Sequence, residues 1–323
     1  MTTVKTPPAP TPIRGRSRQP KWPSAGCLTS LADRAAFGKT VRSLVPRQDH
    51  AALDLPADRG DPIDLLEAQA RTRLPDLVPV RYGRMAASPF AYFRGAALPM
   101  ANDLAATPVT GLPVQACGDA HLSNFGLFGS PERRVVFDIN DFDETLPGPW
   151  EWDVKRLAAS VEIAARESGF PARQRRKIVL GAVTRYREAM RDFAGLSNLR
   201  VWYARLDVDD LQAQLKPTGR LGRAVGTGLA RARSSDSMKA MAKLTRTVDG
   251  RPQIISDPPL TVPIRDVFAS AEEAGSLTGM LHDLLASYRQ TLPADTSELL
   301  ARYELADIAR KVVGVGSVGT RCW

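Results

Sequence analysis

Between Cys117 and Glu144 the chain sets a cluster of oxygen-bearing side chains around one short apolar run, and this limits what the rest can fold into. Gly118-Asp119 and Ser123-Asn124 are turn-forming pairs, so Cys117-Gly118-Asp119-Ala120-His121-Leu122-Ser123-Asn124-Phe125-Gly126 reads as a loop. Val135, Val136 and Phe137 then form a β-branched, apolar run, a short strand that delivers Asp138 to its tip. If that strand continued through Asp141, alternation would set Asp138 and Asn140 on one face and Asp141 on the other. Asp138 and Asp141 are therefore alternatives for one position.

Within the loop, Asp119 and Asn124 are spaced Asp-x-x-x-x-Asn. Phosphoryl transfer asks a protein mainly for positioning and charge neutralisation: a carboxylate at the acceptor hydroxyl and hard oxygen ligands for Mg²⁺. Asp119 is the expected base. Asn124 together with Asp138, or with Asp141 in its place, is the expected Mg²⁺ ligand set. Each residue taken singly also caps helices and closes Asx-turns without any chemistry. The combination of this offset with a strand-borne acid behind it favours the catalytic reading. His121 reads as a loop-organising hydrogen-bonding group beside the site.

Gly118, Asp119, His121 and Asn124 resemble the His-Gly-Asp-x-His-x-x-Asn loop of the aminoglycoside and choline phosphotransferases, a group with a protein-kinase-like fold. Cys117 stands where that pattern has its first His, and no Asp-Phe-Gly follows. From about Leu31 to Trp323 the chain also resembles the bacterial domain of unknown function 2252, through Val78–Met85, Ser88–Ala97, the loop, Pro147–Asp153 and the Gly-rich ending. These resemblances imply an α+β, protein-kinase-like fold: a mainly helical catalytic lobe with a small β portion. They also imply ATP as phosphate donor and a small-molecule hydroxyl or amine as acceptor.

The ending, Arg310-Lys311-Val312-Val313-Gly314-Val315-Gly316-Ser317-Val318-Gly319, reads as an apolar strand entering Gly-x-Gly-x-x-Gly. A dinucleotide fingerprint would need a helix right after the third glycine, and only Thr320 to Trp323 follow. A kinase Gly-rich loop needs a strand on each side and covers phosphates with backbone N–H groups. On that reading Gly314, Gly316 and Gly319 bind the nucleotide, and the loop stands last, as in a circularly rearranged kinase-like fold that is C-terminally truncated. The rival is a tight glycine turn with no ligand. Arg94, before Gly95, is a further candidate for a phosphate, or else for packing on Phe90 or Phe93.

The net charge is +9, but residues 1–30 hold five basic and no acidic side chains, leaving 9 − 5 = +4 for the rest. Nucleic-acid binding is thus expected to be weak and confined to this Pro-rich, disordered tail. A second basic surplus runs from Lys216 to Arg246 against Asp236 and reads as a solvated face. No apolar stretch reaches membrane length and no secretory signal is recognisable, so a cytoplasmic protein without a membrane partner is expected. Cys27, Cys117 and Cys322 lack metal or disulfide spacing and read as reduced thiols, Cys117 as a small buried filler.

The expected organisation is the tail 1–30, a kinase-like region 31–309 and the Gly-rich segment 310–323. Helices are expected over Leu31–Val45, from Asp61-Pro62 to near Leu74, and from Asp153, as a cap, to Gly169. The last has Val154, Leu157, Ala158, Val161, Ala164 and Ala165 on one face. Another follows Pro171 with Val179, Ala182, Val183, Tyr186, Met190 and Phe193 as a buried stripe. Asp249-Gly250-Arg251-Pro252 is a turn, and Leu277 to Tyr288 is amphipathic. The alternative to an enzyme is a non-catalytic nucleotide- or anion-binding protein on the same scaffold.

Overall fold

Helix α1 (Leu31–Leu44) starts with a capping box, in which Ser30 Oγ accepts the Asp33 N–H and the Asp33 carboxylate accepts the Ser30 N–H. The computed structural model describes residues 30–132, 134–215, 226–230, 237–268 and 270–320. The basic tail, Cys27, Cys322 and most of the basic run between Lys216 and Asp236 lie outside these. In α2 (Pro62–Ala70) Asp61 Oδ1 accepts the Ile63 N–H at 2.6 Å ahead of Pro62, so the helix begins where the sequence places it, but it stops at Ala70. Next come α3 (Val78–Met85), α4 (Pro89–Gly95) and α5 (Ala97–Leu104).

Four short strands follow: β1 (Pro113–Ala116), β2 (Phe125–Gly129), β3 (Val135–Ile139) and β4 (Leu146–Pro149). β1 and β4 pair antiparallel with Pro113 opposite Pro149 and Ala116 opposite Leu146, while β2 pairs with β3. The long α6 (Trp150–Glu167) and α7 (Ala172–Ala194) are joined through Gly169, whose φ of 78° lies in the left-handed region that ends helices. Short helices α8 (Asn198–Trp202), α9 (Val208–Leu215) and α10 (Ser237–Leu244) lead to the hairpin β5 (Thr245–Val248) and β6 (Arg251–Ile254). Its turn residues Asp249 and Gly250 both have positive φ, the two-residue turn that suits the strand twist. β7 (Thr261–Pro263), α11 (Ile264–Val267), α12 (Ala271–Thr291), α13 (Ala294–Leu300) and β8 (Ala309–Lys311) complete the series, and β8 pairs antiparallel with β7. The architecture is mixed, mainly helical with small antiparallel sheets.

The chain divides into two compact units. The first holds the segment ending at Ala68, Ala96–Gly126 and Ile139–Arg205; the second holds Gln69–Gly95, Leu127–Asp138 and the segment from Leu206. In the first unit Val41, Leu66, Leu104, Ala116, Ala120, Val161 and Ala165 are buried. In the second, Leu77, Val312 and Val318 form a cluster against which Leu74 and Val80 pack. No helix among the described residues is long and apolar enough to cross a membrane.

Two expectations about burial differ. Helix α6 buries Val161 and Ala165 on the face the period marks, but α7 buries none of its described side chains. Val183, Tyr186, Met190 and Phe193 of the expected stripe stay exposed, and so do Met280, Leu284 and Tyr288 on α12. Period fixes which side chains share a face; burial needs a second element to cover it.

Candidate active site

In the first unit the loop after β1 is shaped by one residue that only glycine can supply. Gly118 has φ 78°, and a Cβ there would run into the backbone carbonyl oxygen of Glu144. The chain then folds tightly: the His121 N–H donates to Asp119 O at 2.7 Å and the Asn124 N–H to His121 O at 2.8 Å.

One face of α6 holds this loop at three points. Asp153 accepts the N–H of Cys117 at 2.7 Å with one carboxylate oxygen and that of Gly118 at 3.0 Å with the other. Arg156, fully buried, closes on Asp119 Oδ1 through Nε at 2.7 Å and through Nη2. Ser160 Oγ accepts the Leu122 N–H at 3.0 Å and donates to Leu157 O. Positions 153, 156 and 160 are three and four apart, so they line one helix face. Asp153 is thus no helix cap: Pro149 occupies the N-cap with no side-chain bond, and the carboxylate serves the loop instead.

Asn124, almost fully buried, ties the loop to the acidic run. Its Nδ2 donates to Asp119 O at 3.2 Å and Asp141 O at 3.1 Å, and the Asn140 N–H donates to Asn124 O at 2.9 Å. With the amide nitrogen committed to these carbonyls, Oδ1 accepts no hydrogen bond among the described residues, the orientation a hard metal ligand requires. Among the described residues no three His, Cys, Asp or Glu side chains are grouped to hold a metal. The site would instead draw on one amide and one carboxylate, which suits Mg²⁺, an ion that keeps several waters.

Through Asn124 Nδ2 the structure ties together the backbone carbonyls of Asp119 and Asp141. The strand ends at Ile139, so the chain turns before Asp141, whose Oδ1 accepts the Asp143 N–H at 3.0 Å. Asp138, exposed near the end of β3, belongs to the second unit. His121 is buried with Nε2 at 3.6 Å from Asp119 Oδ2. The Cys117 thiol is buried, and that burial, with the carboxylates of Asp153, Asp119 and Asp141, pushes it above its ordinary range, against the backbone bond at Asp119. It is disfavoured as a thiolate nucleophile.

A second buried carboxylate stands on α6. Glu151 Oε1 accepts both the N–H and the Oγ1 hydroxyl of Thr110, at 2.7 and 2.6 Å, and Trp150 Nε1 donates to that hydroxyl oxygen. Tyr186 is partly exposed, but its ring stacks on Trp150, and the partial loss of water there, then Glu151 and Asp153, raise its phenol. Glu151, Arg156 and Ser160 belong to no motif; their signal in the sequence is polar side chains within a helix that carries an apolar face.

In the second unit, Gly314, Gly316 and Gly319 lie in a turn that follows β8, and Arg94 ends α4 beside it. A Cβ on Gly316 would come 3.1 Å from Arg94 O, a close approach that favours glycine. Arg84 Nη1 donates to Gly314 O and Arg73 Nη1 to Val318 O, both at 2.6 Å.

Residues 73–323 match the model of a family described as an uncharacterized protein conserved in bacteria, DUF2252. No curated protein and no solved structure matches the chain. The match takes in the Asp119 loop, its α6 anchors and the glycine turn, and it spans well over half the sequence. The chain belongs to the DUF2252 family.

Proposed function

We propose that the protein is a kinase-like phosphotransferase that moves phosphate from ATP to a hydroxyl or amine of a small molecule. The observation that carries this reading is the Asp119 loop itself, a carboxylate and an amide oxygen five positions apart, both held in place by buried groups. Arg156 fixes Asp119 by Oδ1, so Oδ2 is the oxygen that would accept the acceptor proton. Asn124 and Asp141, or Asp138 in its place, would hold Mg²⁺, which neutralises phosphate charge when bound. Gly314, Gly316, Gly319 and Arg94, within the second unit, are the candidates for phosphate contact. Transfer from γ-labelled ATP to a pooled set of alcohols and amines, with and without Asp119→Ala, is the test: label transfer that persists in the variant removes Asp119 from the base role.

One observation favours a second reading. An aspartate whose Oδ1 is closed off by a buried arginine also makes a structural lock, as in a non-catalytic anion- or nucleotide-binding protein on this scaffold. ATP binding with no transfer to any acceptor would select it.

A further inference from the structure

We infer that the Gly314–Gly319 turn and its surrounding arginines form an anion cradle whose ligand is a phosphate or pyrophosphate group, taken up without a metal. It deepens the nucleotide reading of this segment and rests on it only for the source of the phosphate, since neither Asp119 nor Mg²⁺ enters.

The turn presents donors that no acceptor among the described residues receives. Gly314 and Gly319 have φ of 61° and 87°. Left-handed residues within a tight turn line up successive N–H groups into a concave nest. Among the described residues the N–H groups of Val315, Gly316 and Ser317 donate to no acceptor. Val315 is buried as a residue, between the exposed Gly314 and the half-buried Gly316. In a planar trans peptide the C=O and the next N–H point in opposite directions. With Gly314 O held on Arg84, the Val315 N–H faces away from that guanidinium.

Charge favours the same ligand. Gln69–Gly95 carries Arg71, Arg73, Arg81, Arg84 and Arg94 against the single acid Asp76, which pairs with Arg310 at 3.2 Å. Arg84 and Arg73 place guanidinium groups at the two ends of the turn. Arg94, whose carbonyl lies against Gly316, makes no hydrogen bond or ion pair among the described residues, and its Nε is shut off from solvent. A run of N–H groups that meet no acceptor among the described residues, in an arginine-rich segment, suits an anion with several acceptor oxygens around one centre, which is phosphate. This device differs from a strand-flanked loop over nucleotide: β8 ends at Lys311, and the turn is fixed through its carbonyls by arginines.

The test is calorimetric titration of the full chain with pyrophosphate at fixed ionic strength and without Mg²⁺. The expected result is saturable binding, weakened about tenfold or more by Arg94→Gln, as loss of a charged hydrogen bond requires, and weakened by Arg84→Gln through release of the Gly314 carbonyl that fixes the turn. Arg84→Gln removes a bond to the turn, so its denaturation midpoint is measured alongside; Arg94→Gln removes no bond to a described residue and should keep the wild-type midpoint. Asp119→Ala should bind pyrophosphate as the wild type does, even where it abolishes transfer, so the cradle and the transfer reading fail separately. Titration with ATP identifies the source: tighter binding than pyrophosphate points to a nucleotide, equal binding to a free phosphate compound. Absence of saturable pyrophosphate binding, or wild-type affinity in the folded Arg94→Gln and Arg84→Gln variants, overturns the inference.

Discussion

Arg156 grips Asp119 by one carboxylate oxygen, Oδ1, through Nε at 2.7 Å and Nη2, while the other oxygen faces His121 Nε2 at 3.6 Å. The pair joins the middle of α6 to the loop and leaves the carboxylate asymmetric, with one oxygen committed to the fold. Both roles considered for Asp119 depend on this contact, because a base must be aimed before it can act.

Arg156→Ala should therefore cost both stability and orientation. Removing one partner from a buried ion pair strands the other charge, at a cost of roughly 3–5 kcal/mol. Asp119 is only partly covered, so the lower end is expected. Arg156→Lys keeps the charge but cannot reproduce the two-nitrogen grip, and should recover part of the loss. Urea denaturation of the three proteins measures this; equal midpoints would show that the pair does not hold the loop.

Asp153 is expected to act through the backbone. Asp153→Ala would leave the N–H groups of Cys117 and Gly118 without their acceptors, at about 1–3 kcal/mol for the buried Cys117 and less for the exposed Gly118, where water can substitute. Amide hydrogen exchange at Cys117 and Gly118 should accelerate in the variant. Unchanged protection there would refute the anchoring role.

The buried Cys117 thiol gives a pH dependence of definite sign. Its folded pKa is raised above the unfolded value, first by burial and then by Asp153, Asp119 and Asp141. The stabilisation is fully present below the ordinary thiol range and is lost as pH rises through the folded pKa. Stability should fall on going from neutral to strongly alkaline pH, and Cys117→Ser should flatten that fall. Peptide-level alkylation near pH 8 should label Cys117 far more slowly in the folded chain than in urea; equal rates would contradict its burial.

Much of this site could be read from residue types. The turn pairs Gly118-Asp119 and Ser123-Asn124 mark the loop, and Val135 to Phe137 do lie in a strand. What could not be read was the underside. Asp153 stands near a helix start, where a cap is the default, but the cap position falls to Pro149 and the carboxylate meets a loop more than thirty residues earlier. Long-range partners leave no local signature. The Gly-rich ending shows the same limit: its strand is only Ala309–Lys311, because Val312 and Val318 bury with Leu77 and draw the chain into a turn. The α7 stripe was legible as a period, while its exposure depends on which elements cover it.

The proposed ATP site, with Mg²⁺ held by Asn124 and an acidic partner, is best probed through the melting temperature of the full chain with ATP, in the presence and absence of Mg²⁺. Saturating ligand that binds only the folded state should raise it by a few degrees. A larger rise is expected with Mg²⁺ and ATP together than with either alone, with that increment lost in Asp141→Ala or in Asp138→Ala. An ATP-induced rise that is the same without Mg²⁺, or no rise under any of these conditions, would contradict it.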